Sequence, residues 1–143
     1  MKIEIIDGCE NKYGHETVAL LKQHNEKLGH TTESKWYTVA AVEDNVLLGG
    51  ATVLAQWDYI FIDQIYVKNK RDGVGRKLMT KIEELAKNLG KKGLYAFTGL
   101  FQAPEFYVKL GFRESGRIPA FVSGHDEILY VKLLSDEKSG EPA

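Results

Sequence analysis

The pattern of apolar and polar positions changes period several times along the chain. IEII at residues 3–6 predicts a short first strand. Residues 14–28 carry Val18, Leu21 and Leu28 on one helical stripe, with Gly29 as a stop signal. WYTVAAV (36–42), the polar triplet EDN and VLLGGATVLA (46–55) follow, two β-branched apolar runs joined by turn formers, which is a hairpin signal. QWD then punctuates, and YIFIDQIYV (59–67) reads as a third strand of an antiparallel meander. From residue 74 the period becomes helical. Val74, Leu78, Ile82, Leu85 and Leu89 fall on one face, Gly90 offers a left-handed stop, and Lys91 and Lys92 suit the negative helix end. LYAFTGL (94–100) reads as a buried strand. QAPEFYVKLG (102–111) reads as a short helix with Pro104 in its first turn and Gly111 past its end. FRESGRI and EILYVKLL (127–134) predict a closing hairpin.

The predicted order is β-α-β-β-β-α-β-α-β-β. A hairpin-rich front half joined to a βαβ unit implies an α/β (α+β) fold, with a mixed, mostly antiparallel sheet and flanking helices. One domain is expected over residues 1–134. The polar tail 135–143 is expected to fray.

Composition narrows the function classes. A chain of 143 residues buries roughly 68–70% of its unfolded surface, enough for a core without staples. Its formal net charge of -1 gives no global field to recruit nucleic acid or a membrane surface. The lone Cys9 precludes an intrachain disulfide, and it follows the first strand with no motif around it. A reducing, cytoplasmic setting is expected, with no leader at MKIEIIDG and no apolar run near the ~20 residues a membrane helix needs. His15, His24, His30 and His125 lack metal-ligand spacing, so no metal is expected.

Two stretches carry candidate chemistry. In KNKRDGVGRKLM (68–79), Gly73 and Gly75 stand among Lys70, Arg71, Arg76 and Lys77 just before the predicted helix. The first N–H groups of a helix lack intrahelical partners and attract anions, and glycine lets a phosphate approach them. Taken alone, the stretch also reads as a basic loop with glycines for a tight turn, and short glycine motifs are common. It is neither a P-loop nor a dinucleotide fingerprint, since no G-K-[ST] follows and Leu78 stands where a third glycine would be. In FQAPEFYVKLGF (101–112), Phe101, Phe106, Leu110 and Phe112 suit a core. Tyr107 is either packed with its hydroxyl satisfied or available for chemistry.

Together these stretches resemble the GNAT superfamily of acyl-CoA-dependent N-acyltransferases. That family carries [QR]-x-x-G-x-[GA] between a strand and a long helix, then an FYxxxGF segment. Here they read Lys70-Arg71-Asp72-Gly73-Val74-Gly75 and Phe106-Tyr107-Val108-Lys109-Leu110-Gly111-Phe112. FQAPEFY and the pair Gly124-His125 are similar to a bacterial subgroup with an SFQAxxFY block. Three features depart from the pattern. Lys70 replaces Gln or Arg, the loop from Val67 to Gly73 is about two residues short, and Asp72 places a carboxylate where a pyrophosphate would sit. Asp72 is expected to cap the helix or to point away from the ligand.

The resemblance implies acetyl-CoA as co-substrate, held where strands 59–67 and 94–98 splay apart. Its pyrophosphate would meet N–H groups from Gly73, Val74, Gly75, Arg76 and Lys77, with Lys70 and Arg71 alongside. Its pantetheine arm would pair with Ile65 and Val67, and Gln102 and Ala103 would hold its other side. A substrate amine would attack the thioester directly, with an oxyanion donor near Ile65 or Tyr66 and Tyr107 protonating the departing thiolate. Asp63, mid-strand in an apolar run, is the candidate base. Partial burial there would raise its pKa, while Glu105 and a water-only route remain open. Trp36, Trp57, Tyr59, Phe61, Phe121 and His125 are candidate walls of the acceptor pocket. The acceptor would be a small-molecule or peptide amine, and the family also admits a homodimer. A non-catalytic acyl-CoA sensor of the same fold is the alternative.

Overall fold

The computed structural model describes residues 1–31, 33–99 and 102–134. Leu100, Phe101 and the tail 135–143 lie outside the described residues, and with them the end of the predicted strand, one predicted core aromatic and the frayed segment. The chain divides into two compact units, Met1–Glu33 and a larger one from Ser34 onward.

In the first unit, α1 (Lys12–Lys27) begins two residues earlier than its apolar stripe suggests. Asn11 is its N-cap, and the Asn11 side chain accepts from the Gly14 N–H at 2.9 Å. Leu28 caps the far end and Gly29 follows with φ of 85°, as the stop signal predicted. The strand expected at 3–6 does not form. A strand exists only through a ladder with another extended segment, and the rest of this unit is helix and turns, so β propensity alone has nothing to pair with.

The second unit is a six-stranded sheet in the order β1-β2-β3-β4-β6-β5. Its strands are β1 (Ser34–Glu43), β2 (Val46–Gln56), β3 (Tyr59–Val67), β4 (Gly93–Gly99), β5 (Arg113–Val122) and β6 (His125–Leu133). Two helices interrupt them, α2 (Val74–Asn88) and α3 (Pro104–Lys109). All neighbouring strands are antiparallel except β3 and β4, which run parallel. The β1–β2 turn is two residues, Asp44 and Asn45, with φ of 51° and 63°. Positive φ at both positions is the hairpin geometry that matches strand twist, and Asp and Asn tolerate it.

The core lies between the sheet and α2. Ala51, Val53, Ile60, Ile62, Leu94 and Ala96 meet Met79, Ile82 and Ala86 in one buried cluster. Small residues on β2 let the helix come close: a Cβ at Gly49 would stand 2.9 Å from Val74 Cγ1 and 3.0 Å from the Tyr66 carbonyl oxygen. Of the predicted helical stripe, Val74, Leu78 and Ile82 are buried and Leu85 packs against the core. Leu89 is instead the C-cap and is exposed, while Met79 and Ala86 complete the buried face.

Two other predicted elements differ. The second short helix covers Pro104–Lys109 rather than 102–111, because Ala103 is its N-cap, with the non-helical φ of -139° and ψ of 65°, and Leu110 closes it. The segment 118–126, between the two runs of the predicted closing hairpin, is mostly strand. β5 runs to Val122, Ser123 and Gly124 turn the chain with φ of 48° and 81°, and β6 starts at His125. Pro119 is tolerated because β5 is an edge strand whose ladder is irregular between Ile118 and Val122.

Ile82 is fully buried at the centre of the helix–sheet contact. Ile82→Ala should lower the unfolding free energy by about 2–5 kcal/mol, measured by urea denaturation, with the slope unchanged.

Candidate active site

The parallel pair is where the sheet opens. β3 and β4 pair only from Tyr59 with Gly93 to Ile62 with Ala96. On its other side β3 slips by one residue: Val53 faces Ile62 and Thr52 faces Gln64, which leaves Asp63 as the extra residue of a β-bulge. The bulge coincides with the end of the parallel ladder, so β3 bends and the two strands diverge. Beyond it, the Lys68 N–H donates to the Leu48 carbonyl at 3.0 Å. Backbone direction alternates along a strand, so Tyr66 turns its N–H and C=O toward β2, and Ile65 and Val67 turn theirs toward the open edge. Of the two candidate oxyanion donors, only the Ile65 N–H faces the fork. Asp63 is exposed rather than partly buried.

The loop into α2 is held by Asn69, whose side-chain oxygen accepts from the Arg71 N–H at 3.0 Å and whose carbonyl accepts from the Asp72 N–H at 3.4 Å. Asn69 is an ordinary turn former that the sequence reading passed over. Gly73, not Asp72, is the N-cap, and it is left-handed with φ of 71° and ψ of 13°. No side chain caps this helix. The Lys77 N–H already donates to the Gly73 carbonyl at 3.2 Å, which removes it from the predicted anion-binding set. The orphan donors of the first turn are those of Val74, Gly75 and Arg76.

On the far wall, Gln102 folds back. Its side-chain oxygen accepts from the Gly99 N–H at 2.7 Å and from the Thr98 hydroxyl at 3.1 Å, which fixes the end of β4 against the start of α3. Tyr107 is the one buried residue of α3. Its ring stacks on Tyr130 at 5.7 Å and meets Phe106 and Phe112 edge-on, each at 5.3 Å. Burial pushes its pKa up to about 12. Its hydroxyl has no hydrogen-bond partner among the described residues, although a buried tyrosine hydroxyl usually finds one.

These elements enclose a cavity of about 590 Å³. Of the predicted residues, Asp63, Ile65, Val67, Lys70, Gly73, Gly75, Arg76, Gln102, Ala103 and Tyr107 line it. Arg71, Val74 and Lys77 do not, nor do Asp72 and Glu105. Phe97 and Lys109 line it as well and were missed by sequence reasoning. Lys109 falls inside the FYxxxGF segment, two residues after Tyr107, and that position was its only available signal. The predicted acceptor residues lie elsewhere. Trp36, Leu54, Phe61 and Tyr95 form one cross-strand row in the paired half of the sheet, below the fork. Phe121 and His125 flank the β5–β6 turn, beyond the end of β4. Among the described residues, no group of three or more His, Cys, Asp or Glu side chains converges as a metal site would require.

Comparison with known proteins follows the same lines. Residues 4–112 match the profile of the Acetyltransferase (GNAT) family. Blasticidin-S acetyltransferase of Streptomyces morookaense is 33% identical over 100 residues, covering 68% of this chain and 74% of that protein. A crystal structure of an acetyltransferase from Bacillus cereus ATCC 14579 superposes with a TM-score of 0.79 at 26% identity, over 92% of this chain and 98% of that one. A Bacillus anthracis protein crystallised in complex with acetyl coenzyme A shares the fold, with a TM-score of 0.62 at 23% identity over 67% and 62% of the two chains.

The raised pKa of Tyr107 has a measurable sign. Below pH 10 the residue is protonated both folded and unfolded. Between pH 10 and 12 the unfolded chain ionises first, so stability falls by about 3 kcal/mol across that interval. Chemical denaturation at pH 9 and pH 11 should show about half of this loss, roughly 1.4 kcal/mol, in the parent and a smaller one in Tyr107→Phe. An equal loss in both proteins would contradict the assignment.

Proposed function

The chain belongs to the acetyltransferase (GNAT) family, and from that premise we propose that it is an N-acetyltransferase that moves the acetyl group of acetyl-CoA to the amine of a small molecule or peptide. The observation that carries this reading is the convergence on one cavity of three features. Among the described residues these are the start of α2 opened by glycine and without a side-chain cap, the unpaired edge of β3 and the unpartnered hydroxyl of Tyr107.

The residues present suit such a co-substrate. Gly75 and Arg76, which line the cavity, supply backbone donors for a pyrophosphate. Lys70, Arg76 and Lys109 line the cavity with no ion pair among the described residues, leaving their charges for phosphate groups. Ile65 and Val67 offer backbone groups to an amide-bearing arm, as an exposed strand edge does. Bound there, acetyl-CoA supplies an activated thioester carbonyl.

The chain's own groups then divide the work. Ile65 N–H is the donor suited to negative charge developing on the carbonyl oxygen. Asp63, at the bulge and exposed to solvent, can take a proton from the amine directly or through water. Tyr107 holds its proton tightly. With a pKa near 12 against about 8.5 for an ordinary thiol, full transfer to a free thiolate would be uphill by roughly 5 kcal/mol. Its role here is therefore hydrogen-bond donation at the sulfur, and the proton released from the amine balances the thiol product. For the acceptor, the named activity of the Streptomyces morookaense relative favours a small-molecule amine such as blasticidin S. That likeness also favours turnover over a purely sensing role.

Isothermal titration with acetyl-CoA should give a one-to-one complex, and no binding at high micromolar concentration would overturn the reading. Thiol-release assays against blasticidin S, other aminated antibiotics, polyamines and peptide amines should find turnover on at least one class. Silence across all of them, with acetyl-CoA bound, would favour the sensor. Tyr107→Phe should lower kcat by about 10²-fold with acetyl-CoA affinity retained. In Asp63→Asn, a parent-like kcat would assign proton removal to water instead.

A further inference from the structure

We propose that Phe106 is a positioning residue that sets the spacing between the first turn of α2 and Tyr107, and that residue 75 is glycine to admit the Phe106 ring rather than to admit a phosphate. The inference rests on the proposed acetyl-CoA site, of which those two groups form opposite ends.

The two glycines of the turn differ in what surrounds them. At Gly73 a Cβ would meet nothing within 4 Å, and its requirement is the left-handed backbone that lets the chain enter the helix. Gly75 is buried inside the first turn of α2. A Cβ there would stand 2.9 Å from Phe106 Cε1, 3.3 Å from Phe106 Cζ and 3.5 Å from Val67 Cγ2. The direction a side chain would take at Gly75 is thus filled by protein, chiefly by the edge of one ring.

That ring is tied to the chemistry. Phe106 and Tyr107 are consecutive on α3, both line the cavity, and their rings meet edge-on at 5.3 Å. α3 spans only six residues. It is fastened on one side by Gln102 and on the other by the Phe112 N–H, which donates to the Tyr107 carbonyl at 3.0 Å. Toward α2, Phe106 packs against Gly75. A ring is rigid, so its fit into the missing side chain of Gly75 fixes how near Tyr107 comes to the helix donors. An Ala methyl at position 75 would displace the ring edge by about 0.5 Å to restore ordinary carbon–carbon contact. A shift of that order at a reacting group is enough to slow chemistry.

The test is a double-mutant cycle of Gly75→Ala and Phe106→Leu, with Phe106→Trp as a reciprocal overpacking variant. Gly75→Ala and Phe106→Trp should each lower kcat about tenfold while the acetyl-CoA dissociation constant from calorimetry stays within about twofold. Adding Phe106→Leu to Gly75→Ala should return kcat to that of Phe106→Leu alone. Weakened acetyl-CoA binding in Gly75→Ala that Phe106→Leu leaves uncorrected would overturn the inference, because glycine would then be serving the phosphate. The steric fit is also read without ligand: Gly75→Ala should lower the thermal midpoint and Phe106→Leu should restore it. A protein that binds no acetyl-CoA yet shows this rescue would refute the proposed function while upholding the fit. Rescue of the midpoint without rescue of kcat would remove Phe106 from a positioning role.

Discussion

The site depends on a parallel ladder that stops halfway. β3 and β4 pair through Ile62 and Ala96 and no further, and the bulge at Asp63 lies at that point. Were the ladder to continue, the backbone groups of Ile65 and Val67 would be paired with β4 and no cavity would separate the strands. Leaving them open is costly unless water or a ligand satisfies them. The closed half of the fork tolerates this because Ile60, Ile62, Leu94 and Ala96 are buried beneath α2. One half of the strand pair supplies stability, and the other half supplies an edge.

Everything else at the site is arranged around that opening. Gly49 lets α2 lie close on β2, and the left-handed Gly73 turns the chain so that Gly75 and Arg76 of the first helical turn stand at the cavity. Gln102 folds back on Gly99 and Thr98, which carries α3 to the opposite wall. Tyr107 is enclosed by Phe106, Phe112 and Tyr130, and that apolar enclosure is what holds its proton. The same burial that makes this hydroxyl a weak acid leaves it a dependable hydrogen-bond donor across the whole physiological pH range.

Much of this was legible from the chain. The helical period from Val74 to Ile82, the Asp44-Asn45 turn and the strand runs each depend on local preference and short-range periodicity. The glycine turn and the FYxxxGF segment carried the family, which the match over residues 4–112 establishes. Where the structure departs from the local pattern, the reasons are nonlocal. IEII has the propensity of a strand but no ladder partner among the described residues. Asp63 sits in an apolar run, yet the bulge exposes it. Lys77 belongs to the basic stretch, yet the helix engages its N–H. Trp36 and Phe61 are aromatic and near in sequence to the site strand, but the register places them below the fork.

The sequence by itself determined the order of elements from β1 onward, the helix that faces the sheet and the two motifs that name the family. Those features reside in residue type and spacing over a few turns or strands. Only the tertiary structure decided where the parallel pairing stops, which backbone groups of β3 remain open, and why the two glycines of one turn are needed for different reasons. Such properties belong to pairs of residues distant in the chain, as Gly75 and Phe106 are, and no periodicity in one segment encodes the shape of what packs against it.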